Sequence, residues 1–219
     1  MHVVITGANR GIGLALTQHY IALGHQVTAV CRQSSEALNA TQTNIIKDID
    51  VGSADSLASL TQQLQSQKID ILINNAGILH SETLNDLNQA TIEQQFLINA
   101  LAPINITHAL LDRFNKGSKV AVITSRMGSI TDNGSGGYYG YRMSKAALNA
   151  GAKSLAIDLA PKGISVAILH PGFVQTDMVG HAGDITAQAA AERLAARIEG
   201  LTPENTGTFW HSNGEILPW

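Results

Sequence analysis

Two residues four apart, Tyr141 and Lys145, are the pair in this sequence best suited to moving a proton. On a helix, side chains at i and i+4 leave from one face about a turn apart. A free tyrosine has a pKa near 10, and bringing it to about 7 takes roughly 4 kcal/mol of preference for the phenolate, part of which a neighbouring ammonium can supply. Tyr138 and Tyr139 are rivals by type, yet four positions on from them stand Arg142 and Met143, so only Tyr141 has its lysine. Those two are expected to line a substrate pocket. In isolation, a solvated helix face with an incidental Tyr and Lys would be the better explanation of the pair.

A second candidate lies near the start of the chain. Thr6-Gly7-Ala8-Asn9-Arg10-Gly11-Ile12-Gly13 follows a strand-like apolar run and opens a helical stretch. A phosphate placed there would meet the positive end of the helix dipole, with glycines letting the backbone come close. A tight strand-to-helix turn is the plainer alternative.

Both candidates must be positioned by regular elements, and these are legible. Short apolar runs of strand length occur at 3–6, 26–31, 44–47, 70–74, 119–124 and 165–170, with a seventh at 209–211. Between them, 11–23, 54–65, 91–114, 141–159 and 186–198 carry apolar residues at helical spacing. Pro103 is expected to kink the third of these. Ser53 and Thr186 suit N-caps, and Gly24 and Gly163 suit helix exits. This alternation implies a doubly wound α/β fold, one mostly parallel seven-stranded sheet with helices on both faces. With 219 residues and no linker or repeat, one domain spanning 1–219 is expected. All connections read as short except 126–140, which contains five glycines.

Composition narrows the function. A net charge of −3 with scattered cations leaves no basic stripe for nucleic acid or an anionic membrane. No stretch reaches the roughly 18 apolar residues of a membrane span, and no leader precedes the first strand, so a cytoplasmic protein is expected. Cys31 is the only cysteine, which excludes an internal disulfide, and the eight histidines form no ligand cluster, so no metal is expected.

The spacing TGxxxGxG at 6–13, Asn74-Asn75-Ala76-Gly77 after the fourth strand, Tyr141-Arg-Met-Ser-Lys145, and Pro171-Gly172 after the sixth strand together resemble the short-chain dehydrogenase/reductase family over nearly the whole chain. The run Ser125-Arg-Met-Gly-Ser and the ending from Gly207 to Trp219 resemble its compact branch of C-factor-like and sniffer-like carbonyl reductases. The resemblance implies a Rossmann fold binding NADP(H). Gly7, Asn9, Arg10, Gly11, Ile12 and Gly13 would hold the pyrophosphate turn. Asp50, Val51, Asn75, Ala76 and Gly77 would flank adenine and its ribose, and Pro171, Gly172, Val174 and Thr176 would fix the nicotinamide. It also implies the catalytic set. Tyr141 would be the general acid, Lys145 would grip the ribose and lower the tyrosine pKa, Ser125 would bond the substrate oxygen, and Asn99 would position a water behind Lys145. Asn74 and Asn75 could equally tie neighbouring strands together.

Cofactor choice is expected at the end of the second strand, where NAD-selective relatives place a carboxylate. Eighteen residues on from Gly13 stands Cys31, followed by Arg32, which could fork onto a 2′-phosphate. Segments 126–140 and 173–186 are expected to form the substrate pocket. Between Met178 and the next helix, 179–185 leaves little chain to close over a ligand, which implies an open, tolerant site. The stretch after Met178 is too short for the substrate domain of the extended epimerases and dehydratases. The expected activity is hydride transfer between NADPH and a small carbonyl or alcohol substrate, in a homo-oligomer, dimer or tetramer. The alternative is a nucleotide-binding signalling or redox-sensing protein on the same fold with little turnover.

Overall fold

A computed structural model describes residues 1–219. The elements run β1 (His2–Thr6), α1 (Gly11–Ala22), β2 (Gln26–Val30), α2 (Glu36–Asn39), β3 (Asn44–Ile46), α3 (Ala54–Gln63), β4 (Ile69–Asn74) and α4 (Gln89–Phe96). They continue with α5 (Ala102–Ala109), β5 (Phe114–Ile123), α6 (Tyr139–Leu159), β6 (Ser165–His170), α7 (Ala187–Glu199) and β7 (Phe209–His211). The strands lie in the order β3-β2-β1-β4-β5-β6-β7, and every pairing is parallel. A parallel sheet needs crossovers that cover both faces, which is why its strands read as near-continuous apolar runs.

The two cores follow from the alternation of side chains along each strand. Val4, Leu72, Val120 and Ile168 point to the face covered by α3, α5 and α6. Val3, Ile5, Ile71, Ile73, Ala121 and Ala167 point to the face covered by α1 and α7. Burying each large aliphatic side chain fully contributes about 1.5–3 kcal/mol, so the pattern holds the sheet's register. Ser53 and Thr186 cap α3 and α7, accepting from Ser56 N and Ala189 N. Gly24 and Gly163 leave their helices with positive φ.

Three expectations need correction. The helix expected over 91–114 is α4, a π-turn over Leu97–Leu101, and α5. Pro103 cannot donate to the carbonyl of Asn99, and its ring crowds that carbonyl, so the widened turn falls just before the proline. Phe114, assigned to the end of that helix, starts β5, which runs five residues further towards the N-terminus than expected and pairs at Ile69. The stretch 75–88 is also a long loop, contrary to the expectation that only 126–140 would be. A short helix, α2, capped by Ser35, was not foreseen.

Candidate active site

A cleft of about 680 Å³ opens over the carboxyl ends of β1, β4 and their neighbours, where the connections from β1 and β4 leave to opposite faces. Gly7, Asn9, Arg10, Gly11, Ile12 and Gly13 line it at the start of α1. A Cβ at Gly13 would overlap the Gly7 carbonyl oxygen, so only glycine permits this turn. Opposite, Asn75 Nδ2 donates to Thr6 O at 3.0 Å and Gly7 O at 3.2 Å, while Asn75 N and Ala76 N both donate to Thr6 Oγ1 at 3.1 Å. Asn75 therefore ties β1 to the end of β4, the tying role open to it in the sequence. Asn74 instead donates to Thr107 Oγ1 at 3.3 Å.

At the β2 end of the cleft, Arg32 is exposed beside Asp50 and Val51, and its guanidinium belongs to none of the four ion pairs of the chain. Cys31 is buried and no carboxylate replaces it there. Arg10 differs. Its Nη1 donates to Asp177 Oδ2 at 3.0 Å, and His181 Nε2 lies 3.0 Å from Asp177 Oδ1, so this cation already has a partner on the connection after β6. Ser35 Oγ donates to Asn9 O at 2.6 Å, which ties the cap of α2 to the glycine turn.

The far end of the cleft holds Tyr141 and Lys145, on the first turns of α6. Both are buried, and Lys145 Nζ stands 5.7 Å from the centre of the Tyr141 ring while donating to Ile123 O at 2.9 Å. Burial pushes the Tyr141 phenol up to about 12, against a downward pull from its hydrogen bond with Ser125. Burial also pulls Lys145 down to about 8. Ser125, buried and outside the cleft's lining, caps the short turn after β5 by accepting from Met127 N. Asn99 sits in the π-turn, where its Oδ1 accepts from Ile78 N at 2.8 Å and its Nδ2 donates to Ile78 O at 2.8 Å and Ser144 Oγ at 3.0 Å. It bonds no atom of Lys145.

Pro171 and Thr176 line the cleft, whereas Gly172 and Val174 do not. Val174 is buried and bridges to Ile185, and Gly172 faces Ile185 and His211. Sequence reasoning missed Ile78, Gln94 and Ile98, which line part of the walls, whereas Asp177 and Met178 fall within the segment 173–186 expected at the pocket. No local pattern marks the first three. It also passed over His170, whose ring is pushed down to about 3, first by burial and then by His211, Arg126 and Lys145, so it adds no charge beside the catalytic candidates.

Comparison with known proteins gives this geometry a context. The family model described as short chain dehydrogenase matches residues 1–190. The 1-hydroxy-2-glutathionyl-2-methyl-3-butene dehydrogenase of Rhodococcus sp. (strain AD45) is 36% identical over 99% of each chain. The C-signal protein of Myxococcus xanthus is 44% identical over 69% of this chain and 93% of its own. Among solved structures, the carbonyl reductase Sniffer of D. melanogaster superposes with a TM-score of 0.91 at 30% identity, covering 100% of this chain and 99% of that one. The NADPH-bound carbonyl reductase from chicken fatty liver gives 0.88 at 28%, covering 100% and 98%. No helix is long and apolar enough to cross a membrane.

Proposed function

The chain belongs to the short-chain dehydrogenase family of oxidoreductases, and on that premise we propose that it is an NADPH-dependent carbonyl reductase with Tyr141 as the acid. The observation that carries the reading is the burial of Tyr141 and Lys145 at one end of a cleft whose other end presents the unpaired Arg32, with buried Ser125 hydrogen-bonded to Tyr141. The residues fit such a cofactor. The glycine turn at the head of α1 lines the cleft where a pyrophosphate would meet the helix N-terminus, and Arg32 stands free for a 2′-phosphate. The NADPH-bound carbonyl reductase from chicken fatty liver, which superposes on this chain, supports the same choice.

Bound NADPH would supply the hydride. Tyr141 gives its phenolic proton to the carbonyl oxygen, and with its pKa held high it is fully protonated at neutral pH, the state that reduction requires. Ser125 bonds the same oxygen and holds it against the phenol. Lys145, whose ammonium donates to Ile123 O, would hold the ribose hydroxyls, and Asn99, which holds the Ile78 backbone on both its N–H and its carbonyl, would position a water behind Lys145. Segments 126–140 and 173–186 would form the substrate pocket, and the short stretch 179–185 before α7 leaves little chain to close over it, which suits an open site that accepts varied small carbonyl compounds. Exposed Phe96, Leu101, Met143 and Ile157 on α4, the π-turn and α6 support a homo-oligomer, dimer or tetramer. The protein is expected to act in the cytoplasm, with no nucleic-acid or membrane partner.

The test is NADPH oxidation, followed by absorbance, with a panel of aldehydes, ketones and quinones. Tyr141→Phe should abolish turnover while NADPH binding survives. Turnover within a few-fold of the wild type would refute the assigned acid. A nucleotide-binding signalling or redox-sensing role, which the likeness to C-signal favours, would instead give tight binding without turnover.

A further inference from the structure

The start of α6 lacks a cap of its own. Gly136, Gly137 and Tyr138 precede the helix, no side chain among them caps it, and Tyr138 sits at φ 52°, a left-handed conformation that a bulky residue holds only when its surroundings impose it. The missing partner comes from the distant loop after β4. Glu82, 3% exposed, accepts from Tyr138 N through its backbone carbonyl at 2.8 Å and from Gly140 N through Oε2 at 3.1 Å.

Its other oxygen is also engaged. Oε1 accepts from Thr91 Oγ1 and from Gln95 Nε2, both on α4 and both at 2.7 Å. Gln95 is itself fully buried, and its Oε1 accepts from His80 N at 2.9 Å. The backbone groups at His80 and Gly140 can only donate, so Gln95 must turn its amide nitrogen to Glu82, and both Glu82 oxygens must accept. A Cβ at Gly140 would run into the Gln95 amide and Ile92 Cα, so glycine is what lets α6 approach this network. A carboxylate at a helix N-terminus also complements the helix dipole.

We propose that Glu82 is a positioning residue for proton transfer, setting through Tyr138 and Gly140 the place at which the next residue, Tyr141, presents its phenol to Ser125. The proposal rests on Tyr141 being the acid. Glu82 lines no part of the cofactor cleft, so its influence on catalysis runs through the helices it holds, α6 first. Misplacing a reacting group by about 1 Å costs on the order of a hundredfold in rate, which makes the first turn of this helix a sensitive place to loosen.

Glu82→Gln keeps the shape but substitutes an amide nitrogen that must face Gly140 N–H or the Gln95 amide, both donors. The expected result in the purified full chain is a kcat lower by roughly tenfold to a hundredfold, with the NADPH Kd unchanged and the carbonyl KM moved less than kcat. In single-turnover measurements, Glu82→Gln should have no further effect on the residual rate of Tyr141→Phe, since the tyrosine it positions is gone. A wild-type kcat in Glu82→Gln, or an equal loss with and without the Tyr141 hydroxyl, overturns the proposal. Near-wild-type turnover in Tyr141→Phe alone overturns the reading of the acid, and this proposal with it. Should Glu82→Gln fail to fold, Thr91→Val removes one donor to Oε1 and should lower kcat about twofold to tenfold at unchanged NADPH Kd. An unchanged kcat there counts against Glu82.

Discussion

Replacing Arg32 by alanine should weaken NADPH binding about tenfold to a hundredfold and leave NADH binding almost untouched. The magnitude follows from the side chain's setting. Arg32 lies exposed at the β2 end of the cleft with no ion-pair partner, so nothing must be broken before its guanidinium meets a 2′-phosphate, and a charge-assisted bond of that kind contributes on the order of 1.5–3 kcal/mol. Arg10 should matter less. Its guanidinium must first leave Asp177, 3.0 Å away, and an exposed pair of this sort is worth about 0.2–1 kcal/mol. The same arithmetic gives Asp177→Asn the opposite sign, with Arg10 released and NADPH bound about 1.4-fold to fivefold more tightly. Cys31→Asp combined with Arg32→Ala should reverse the preference, because a carboxylate at that strand end repels the phosphate and accepts from ribose hydroxyls. Fluorescence titration of each variant with both cofactors, at fixed ionic strength, measures all of these. Equal losses for NADPH and NADH in Arg32→Ala, or a wild-type protein that prefers NADH, would refute the reasoning.

Two further outcomes follow from buried groups. Burial lowers the pKa of Lys145 to about 8, so its ammonium is present below that pH and lost above it; kcat/KM for NADPH, which reports the free enzyme, should fall about tenfold per unit beyond about 8, and a profile that stays level or rises there would contradict the assignment. The Tyr20 hydroxyl is buried without a hydrogen-bond partner, so Tyr20→Phe should be neutral or stabilising by up to about 1 kcal/mol, raising Tm by roughly 2–4 °C in thermal unfolding, whereas a clear loss of stability would mean that the hydroxyl is bonded.

Much of the cleft was legible because its residues follow one another along the chain. The run from Gly7 to Gly13 and the pair Tyr141 and Lys145 each occupy a single strand-to-helix turn or helix face, where spacing alone sets which side chains converge. All of these except the buried Ala8 line the cleft. Gly172 and Val174 lie outside the cleft's lining, Val174 being held by its bridge to Ile185, a contact that spacing does not specify.

By itself the sequence determined the periods, and with them seven parallel strands, the two buried faces and the order in which the motifs meet the cleft, since periodicity is a local property of side-chain direction. Tertiary structure alone decided the rest. Asp177 reaches Arg10 across 167 positions and Glu82 reaches Gly140 across 58, pairings that exist only once the crossovers have stacked the loops at one end of the sheet. The ionisation of Tyr141 belongs to this second class too. Spacing puts an ammonium within reach of the phenol, but how far its pKa moves depends on how completely packing removes water, and here burial prevails.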